Sequence, residues 1–178
     1  VLSIVAGATT RTLVEGLGHE AVIRVMPNTP AQIGAGMSVW TASAAVPEDR
    51  VEATRRILAT LGEEHYAHDE KLIDMATALS ASGPAYVFLF IESLIDAGVY
   101  LGMARDVARK LAVQTVLGST QLVKETGRHP AELKDMVTSP GGTTIEALRA
   151  LEDSGFRASV FSAVSAAYEK SKALGDSG

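Results

Sequence analysis

The chain has 178 residues, 47% of them hydrophobic, so it is long enough for one large or two small packed domains and too apolar for disorder. Sixteen Lys and Arg against 21 Asp and Glu leave a net charge of −5 with no basic run, which argues against nucleic acid and for a small metabolite as partner. Cysteine is absent, so disulfides and thiol catalysis are excluded, which is compatible with a reducing cytoplasm without establishing it. The longest apolar run, residues 85–91, falls well short of the roughly 18 residues a membrane span needs, and a soluble protein is expected.

Residues 1–5 lack an initiator Met and a basic leader and already read as a buried strand, as though the chain began inside a fold. A strand over 2–5, a short helix over 10–17 closed by Gly18 and a strand over 21–26 follow one another, with weaker strands over 37–41 and 65–67. Between the weaker two, Val51, Ile57, Leu58 and Leu61 form the apolar stripe of a helix that opens after Pro47 and stops at Gly62. Strands alternating with helices predict an α/β sheet with parallel pairing over residues 1–68.

From residue 69 to 178 the apolar spacing is helical throughout, and this part is expected to be all-α. A helix over 71–79 precedes one that carries Pro84 in its first turn and runs to about residue 101. The latter is apolar around most of its circumference, with Tyr86, Val87, Phe88, Leu89, Phe90, Ile91, Leu94 and Ile95. Such a helix must be covered on several sides, and packing against a second copy, a homodimer, is the simplest solution. Helices over 104–126 (stopped by Gly127), 130–137, 144–154 and 160–174 complete the bundle, with a frayed tail after Gly175.

Chemistry concentrates in Leu133-Lys-Asp-Met-Val-Thr-Ser-Pro-Gly-Gly-Thr-Thr-Ile-Glu146. Pro140 breaks one helix, Gly141 and Gly142 let backbone approach a ligand, and Thr143 with Glu146 fits a capping box opening the next helix. Free N–H groups and the positive end of the helix dipole favour a carboxylate or phosphate there, although an ordinary inter-helix turn has the same spacing. With this stretch, Arg24-Val-Met-Pro-Asn-Thr-Pro30, Ala81-Ser-Gly-Pro-Ala-Tyr86 and Gly155-Phe156, the chain resembles the pyrroline-5-carboxylate reductases over essentially its whole length.

That resemblance implies a partial Rossmann-like sheet followed by a helical dimerisation bundle, and reduction of 1-pyrroline-5-carboxylate to proline with NADPH or NADH in the cytoplasm. The protein would be a homodimer through its helical part, with higher assemblies of dimers allowed. Reductases of this family begin with a Gly-x-Gly-x-x-Gly turn after a first strand, which receives the pyrophosphate. Here Gly16-Leu-Gly-His-Glu-Ala21 has a related string but follows a helix and precedes a strand, the reverse of the required context. The chain therefore reads as the carboxyl-terminal part of such an enzyme. Two other readings remain open: a catalytically silent dimerisation module, and another imine or hydroxyacid dehydrogenase of the same plan.

The ring carboxylate of the substrate suits the backbone around Ser139, Gly141, Gly142 and Thr143, and the resemblance places the Thr144 hydroxyl beside the ring nitrogen, where it orients or protonates it. Alternatively both threonines only cap the helix. Ala6 and Gly7 after the first strand, and Asn28 and Thr29 after the next, lie where open α/β sheets bind ligands, and are candidate cofactor residues. Tight turns explain them equally well, with Asn28 bonding local backbone. Ser82, near Ser80, Gly83 and Pro84, could face the nicotinamide amide or merely cap a helix. Glu125 could reach the imine from a partner subunit, but a solvated helix end is the simpler reading. His19, His65, His68 and His129 show no metal spacing, and no metal is expected. Trp40, Tyr86 and Tyr100 read as packing residues.

Overall fold

Apolar side chains alternate along the central strands so that both faces of the sheet are dry. The structure, a computed structural model, describes residues 1–176, and the tail expected after Gly175 falls, beyond Asp176, outside the described residues. Strands β1 (Leu2–Ser3), β2 (Ile23–Met26), β3 (Gly36–Ala42) and β4 (Gly62–Tyr66) form one sheet in the order β1-β2-β3-β4. On one face Ile23, Val25, Trp40 and Leu58 pack together; on the other, Met26, Val39, Ala67 and Ile73 do so. Successive β2 residues thus serve opposite cores, as the period of two requires.

The first core is closed by α2 (Glu48–Ala59), which places Leu58 on the sheet, and the second by α3 (Lys71–Ala76), which places Ile73. Ile57, expected in the α2 stripe, is instead 57% exposed. Trp40 is fully buried, meets Tyr66 edge to face at 4.9 Å and donates its indole N–H to Glu64 at 2.6 Å.

Parallel pairing holds for β1 with β2 and for β3 with β4, but β2 and β3 are antiparallel, with Val25 opposite Trp40. Chain length decides this. The helices α1 (Thr10–Leu17) and α2 bridge the parallel pairs, whereas β2 and β3 are joined only through a 3-10 turn, Thr29–Ile33, too short for a crossover.

No strand follows β4 among the described residues. After α3 come a π-helical segment (Thr77–Ala81), α4 (Gly83–Tyr100), α5 (Arg105–Thr126), α6 (Pro130–Met136), α7 (Thr143–Asp153) and α8 (Phe156–Asp176). The chain divides into two compact units: Val1–Ala85 together with the segment from Phe161 on, and Tyr86–Val160. In the second, α5 buries only Ala108 and Ala112, while α4 buries nothing. Phe88 is 60% and Leu89 65% exposed, and Tyr100, expected to pack, is 90% exposed. The helical run Lys71–Tyr100 is long and apolar enough to cross a membrane by length and composition. Uninterrupted apolar length alone missed this, because isolated polar residues such as Glu92 and Ser93 break the run without ending the helix.

Candidate active site

Because β1 and β2 are parallel, with Leu2 opposite Ile23, the turns that follow them leave the sheet at the same edge. Ala6 and Gly7 belong to the first turn, Asn28 and Thr29 to the second. Gly7 is buried at φ +78, and a Cβ there would press on Leu174 of α8, so only glycine lets that helix lie across the turn. Ala6 and Thr29 remain exposed.

Asn28 is held at both ends of its amide. Its Oδ1 accepts from the Met37 N–H at 2.8 Å, and its Nδ2 donates to the Ser80 carbonyl at 3.2 Å. Ser80 lies in the π-helical segment, a form that appears mostly as single turns within α-helices and frequently at functional sites. Ser82 ends that segment half-buried, and its carbonyl accepts from the Ala85 N–H at 3.0 Å. The 6–9 turn, the 26–30 turn and the 80–82 segment all belong to the sheet-containing unit.

Between these segments lies a charged cluster that the periodicity of the chain does not announce. Arg24, in the middle of β2, is 1% exposed and donates from Nη1 to Glu70 Oε1 at 2.8 Å and from Nη2 to Asp74 Oδ1 at 3.1 Å. The same Glu70 oxygen accepts from the Thr10 N–H at 2.7 Å and the Thr10 hydroxyl at 2.9 Å, while Ser171 of α8 donates to Asp74 at 3.3 Å. Arg24 Nε has no partner. Burial alone would raise the Glu70 carboxyl, but the bond from the Thr10 amide, those from Arg24 and the Thr10 hydroxyl, and the Arg24 charge together hold its pKa below the ordinary value. The signal was a lone arginine between Val22-Ile23 and Val25-Met26, which a buried strand accepts only with carboxylates supplied from elsewhere.

In the helical unit, the break between α6 and α7 is a turn in which the Gly142 N–H donates to the Ser139 carbonyl at 3.1 Å and Gly141 takes φ +66. The helix start differs from the expected capping box. Gly142, extended at φ −81 and ψ 174, is the cap residue; Thr143 is the first helical residue and makes no cap bond. Thr143 is already committed to helical backbone, and the Ser139 hydroxyl folds over Gly142, where any Cβ would strike it. Glu146 pairs with Arg149 at 3.2 Å instead of reaching back to the cap. Among the described residues the Thr143 and Thr144 hydroxyls have no protein partner. Thr144 is half-buried, Thr143 exposed. The turn thus offers free N–H groups at Thr143 and Thr144 and two free hydroxyls to an anion.

Glu125 is exposed at the end of α5. His129 accepts the Ala131 N–H at 3.2 Å as the cap of α6, and among the described residues no His, Asp or Glu cluster could hold a metal.

Fold and loop define a two-part class: a Rossmann-like partial sheet joined to a helical dimerisation region. Residues 70–174 match the family model described as pyrroline-5-carboxylate reductase dimerisation. A pyrroline-5-carboxylate reductase of Escherichia coli is 50% identical over 99% of this chain and 66% of its own length; one of Synechocystis is 48% identical over 98% and 65%. The crystal structure of Plasmodium falciparum pyrroline carboxylate reductase with NADP bound superimposes with a TM-score of 0.94 at 42% identity, covering 98% of this chain and 71% of that one. The chain belongs to the pyrroline-5-carboxylate reductase family. It spans about two thirds of the length of the curated relatives it matches, 65% and 66% in these two.

Proposed function

We propose that the chain carries the substrate-binding and nicotinamide-facing part of a cytoplasmic reductase that converts 1-pyrroline-5-carboxylate to L-proline with NADPH or NADH. The turn at residues 139–144 supports this reading most directly: free N–H groups at Thr143 and Thr144 suit the ring carboxylate, and the unpartnered Thr144 hydroxyl is free to face the ring nitrogen. Ser139, Gly141 and Gly142 shape that turn. Gly141 supplies the left-handed backbone and Gly142 the space for the Ser139 side chain.

The residues of the sheet edge fit the nicotinamide half of a dinucleotide. Ala6 and Thr29 are exposed there, and Ser82 is half-buried at the end of the π-helical segment. Asn28 acts by fixing Ser80 and the turn, since its own amide is engaged at both ends. Gly16 to Ala21 lie on α1 and the loop to β2, so they provide no pyrophosphate turn. When bound, the cofactor supplies a hydride. The protein's own part is to fix the imine, to orient or protonate its nitrogen through Thr144, and to keep water out.

The exposed apolar surface of α4 is best covered by a second copy of the chain, giving a homodimer, with higher assemblies built from dimers; the dimerisation region of the matching family model favours this over a membrane. Oxidation of NADPH by 1-pyrroline-5-carboxylate is the test, run on this chain alone and with the glycine-rich strand, turn and helix of a family reductase fused ahead of Val1. Activity is expected in the fused protein. A fused protein that folds and dimerises without activity would leave the chain a silent dimerisation module.

A further inference from the structure

The cluster around Arg24 joins segments that are far apart in sequence. Arg24 lies two residues before the 26–30 turn. Through Glu70 it reaches the N–H and hydroxyl of Thr10, the residue directly after the 6–9 turn. Through Asp74 it reaches α3, which runs on into the π-helical segment carrying Ser80. Ser171 of α8 closes the cluster from a fourth side, one turn before the Leu174 that lies against Gly7.

Every link ends on a carboxylate oxygen of Glu70 or Asp74, so the bonds are charge-assisted and directional. The guanidinium fork matters because one planar group spans two carboxylates on successive turns of helix; a lysine would present the same charge as a single point. The Asn28 bond to the Ser80 carbonyl is a second tie between the same two stretches of chain, placed at the sheet edge itself.

We propose that Arg24 is a positioning residue whose guanidinium, through Glu70 and Asp74, sets the mutual register of the 6–9 turn, the 26–30 turn and the 80–82 segment. It touches no ligand. Its role is to hold the three segments that face the nicotinamide before the cofactor arrives, and in this it rests on the reading of function above. A buried ion cluster costs desolvation that an apolar trio would not, so stability alone is a poor reason for it. Agreement among three separate loops is something an apolar contact, without direction, would not enforce.

The test compares Arg24→Lys with the unmodified sequence in the fused protein, reading kinetics and amide hydrogen exchange together. We expect KM for NADPH to rise about tenfold with KM for the imine unchanged within about twofold. Exchange should quicken by about tenfold at the amides of Thr10 and Met37, which report the first two turns, and stay unchanged at Ala67, whose N–H bonds the Trp40 carbonyl at 2.7 Å. A fall in kcat with both KM values unchanged, or equal quickening at all three amides, would reduce Arg24 to a general stabiliser and overturn the proposal. Should Arg24→Lys fail to fold, Thr10→Val removes only the hydroxyl bond to Glu70 and carries the same comparison. An unmodified fused protein without reductase activity would sink the reading of function, while the exchange pattern still decides on Arg24.

Discussion

Trp40 and Leu89 are both large apolar residues in well-formed elements, yet one is fully buried and the other 65% exposed. Around Trp40 the chain supplies all the cover itself: β2 and β4 on either side, Leu58 from α2, and Glu64 for the indole N–H. Around Leu89 it supplies little, because α4 is apolar on nearly every side and buries nothing. The core of the sheet is closed by the chain's own elements, whereas α4 buries none of its residues and presents an apolar surface that calls for another molecule.

Substitution at these two positions should therefore fail in different ways. Leu89→Asp puts a charge into the proposed interface twice, because a two-fold contact repeats every residue; each lost leucine is worth about 1.5–3 kcal/mol, so the dissociation constant should rise at least about 100-fold by sedimentation. An unchanged dimer would move the interface elsewhere. Trp40→Ala should leave the oligomer alone and cost about 3–5 kcal/mol in denaturant unfolding of the sheet unit. Thr144→Ala should do neither, and instead lower kcat/KM for the imine about 100-fold in the fused protein with the unfolding midpoint unchanged. Full activity in that variant would return the hydroxyl to a bystander.

The smallest effect expected is that of pH on the Glu70 cluster. Its folded pKa is depressed, so its contribution is complete above the ordinary value of 4.5 and is lost as pH falls below 4.5 through the lower folded value. Acid unfolding of the sheet unit should weaken its pH dependence in that window when Glu70 is replaced by Gln. An unaltered acid profile would mean that Glu70 binds its proton equally in both states.

Much of this contrast was readable in the chain. The bounds of α1, its left-handed stop at Gly18, the helix after Pro47 and the stop at Gly127 follow from local chemistry, and the structure keeps them. The all-round apolar character of α4 likewise gave away that it needs outside cover. What escaped were features set by distant partners or by a small difference in backbone. The antiparallel β2 and β3 pair depends on a five-residue turn, Thr29–Ile33, that reads as a mere Pro-bounded break. The π-helical turn at Thr77–Ala81 has ordinary helix-like spacing and differs only in which carbonyl each N–H finds. The shift of the α7 cap from Thr143 to Gly142 is one residue, below what a capping motif resolves. Arg24 was visible as a residue, but Glu70 and Asp74 lie 46 and 50 positions away, beyond any local pattern.

The turn at residues 139–144 can be tested without the nucleotide-binding segment, by titrating the labelled chain with L-proline and following backbone amide shifts. The account predicts saturable shifts at Gly141, Thr143 and Thr144, reduced at Thr144 when its side chain is replaced by alanine. Saturable shifts confined to other residues, with that turn unmoved, would contradict it.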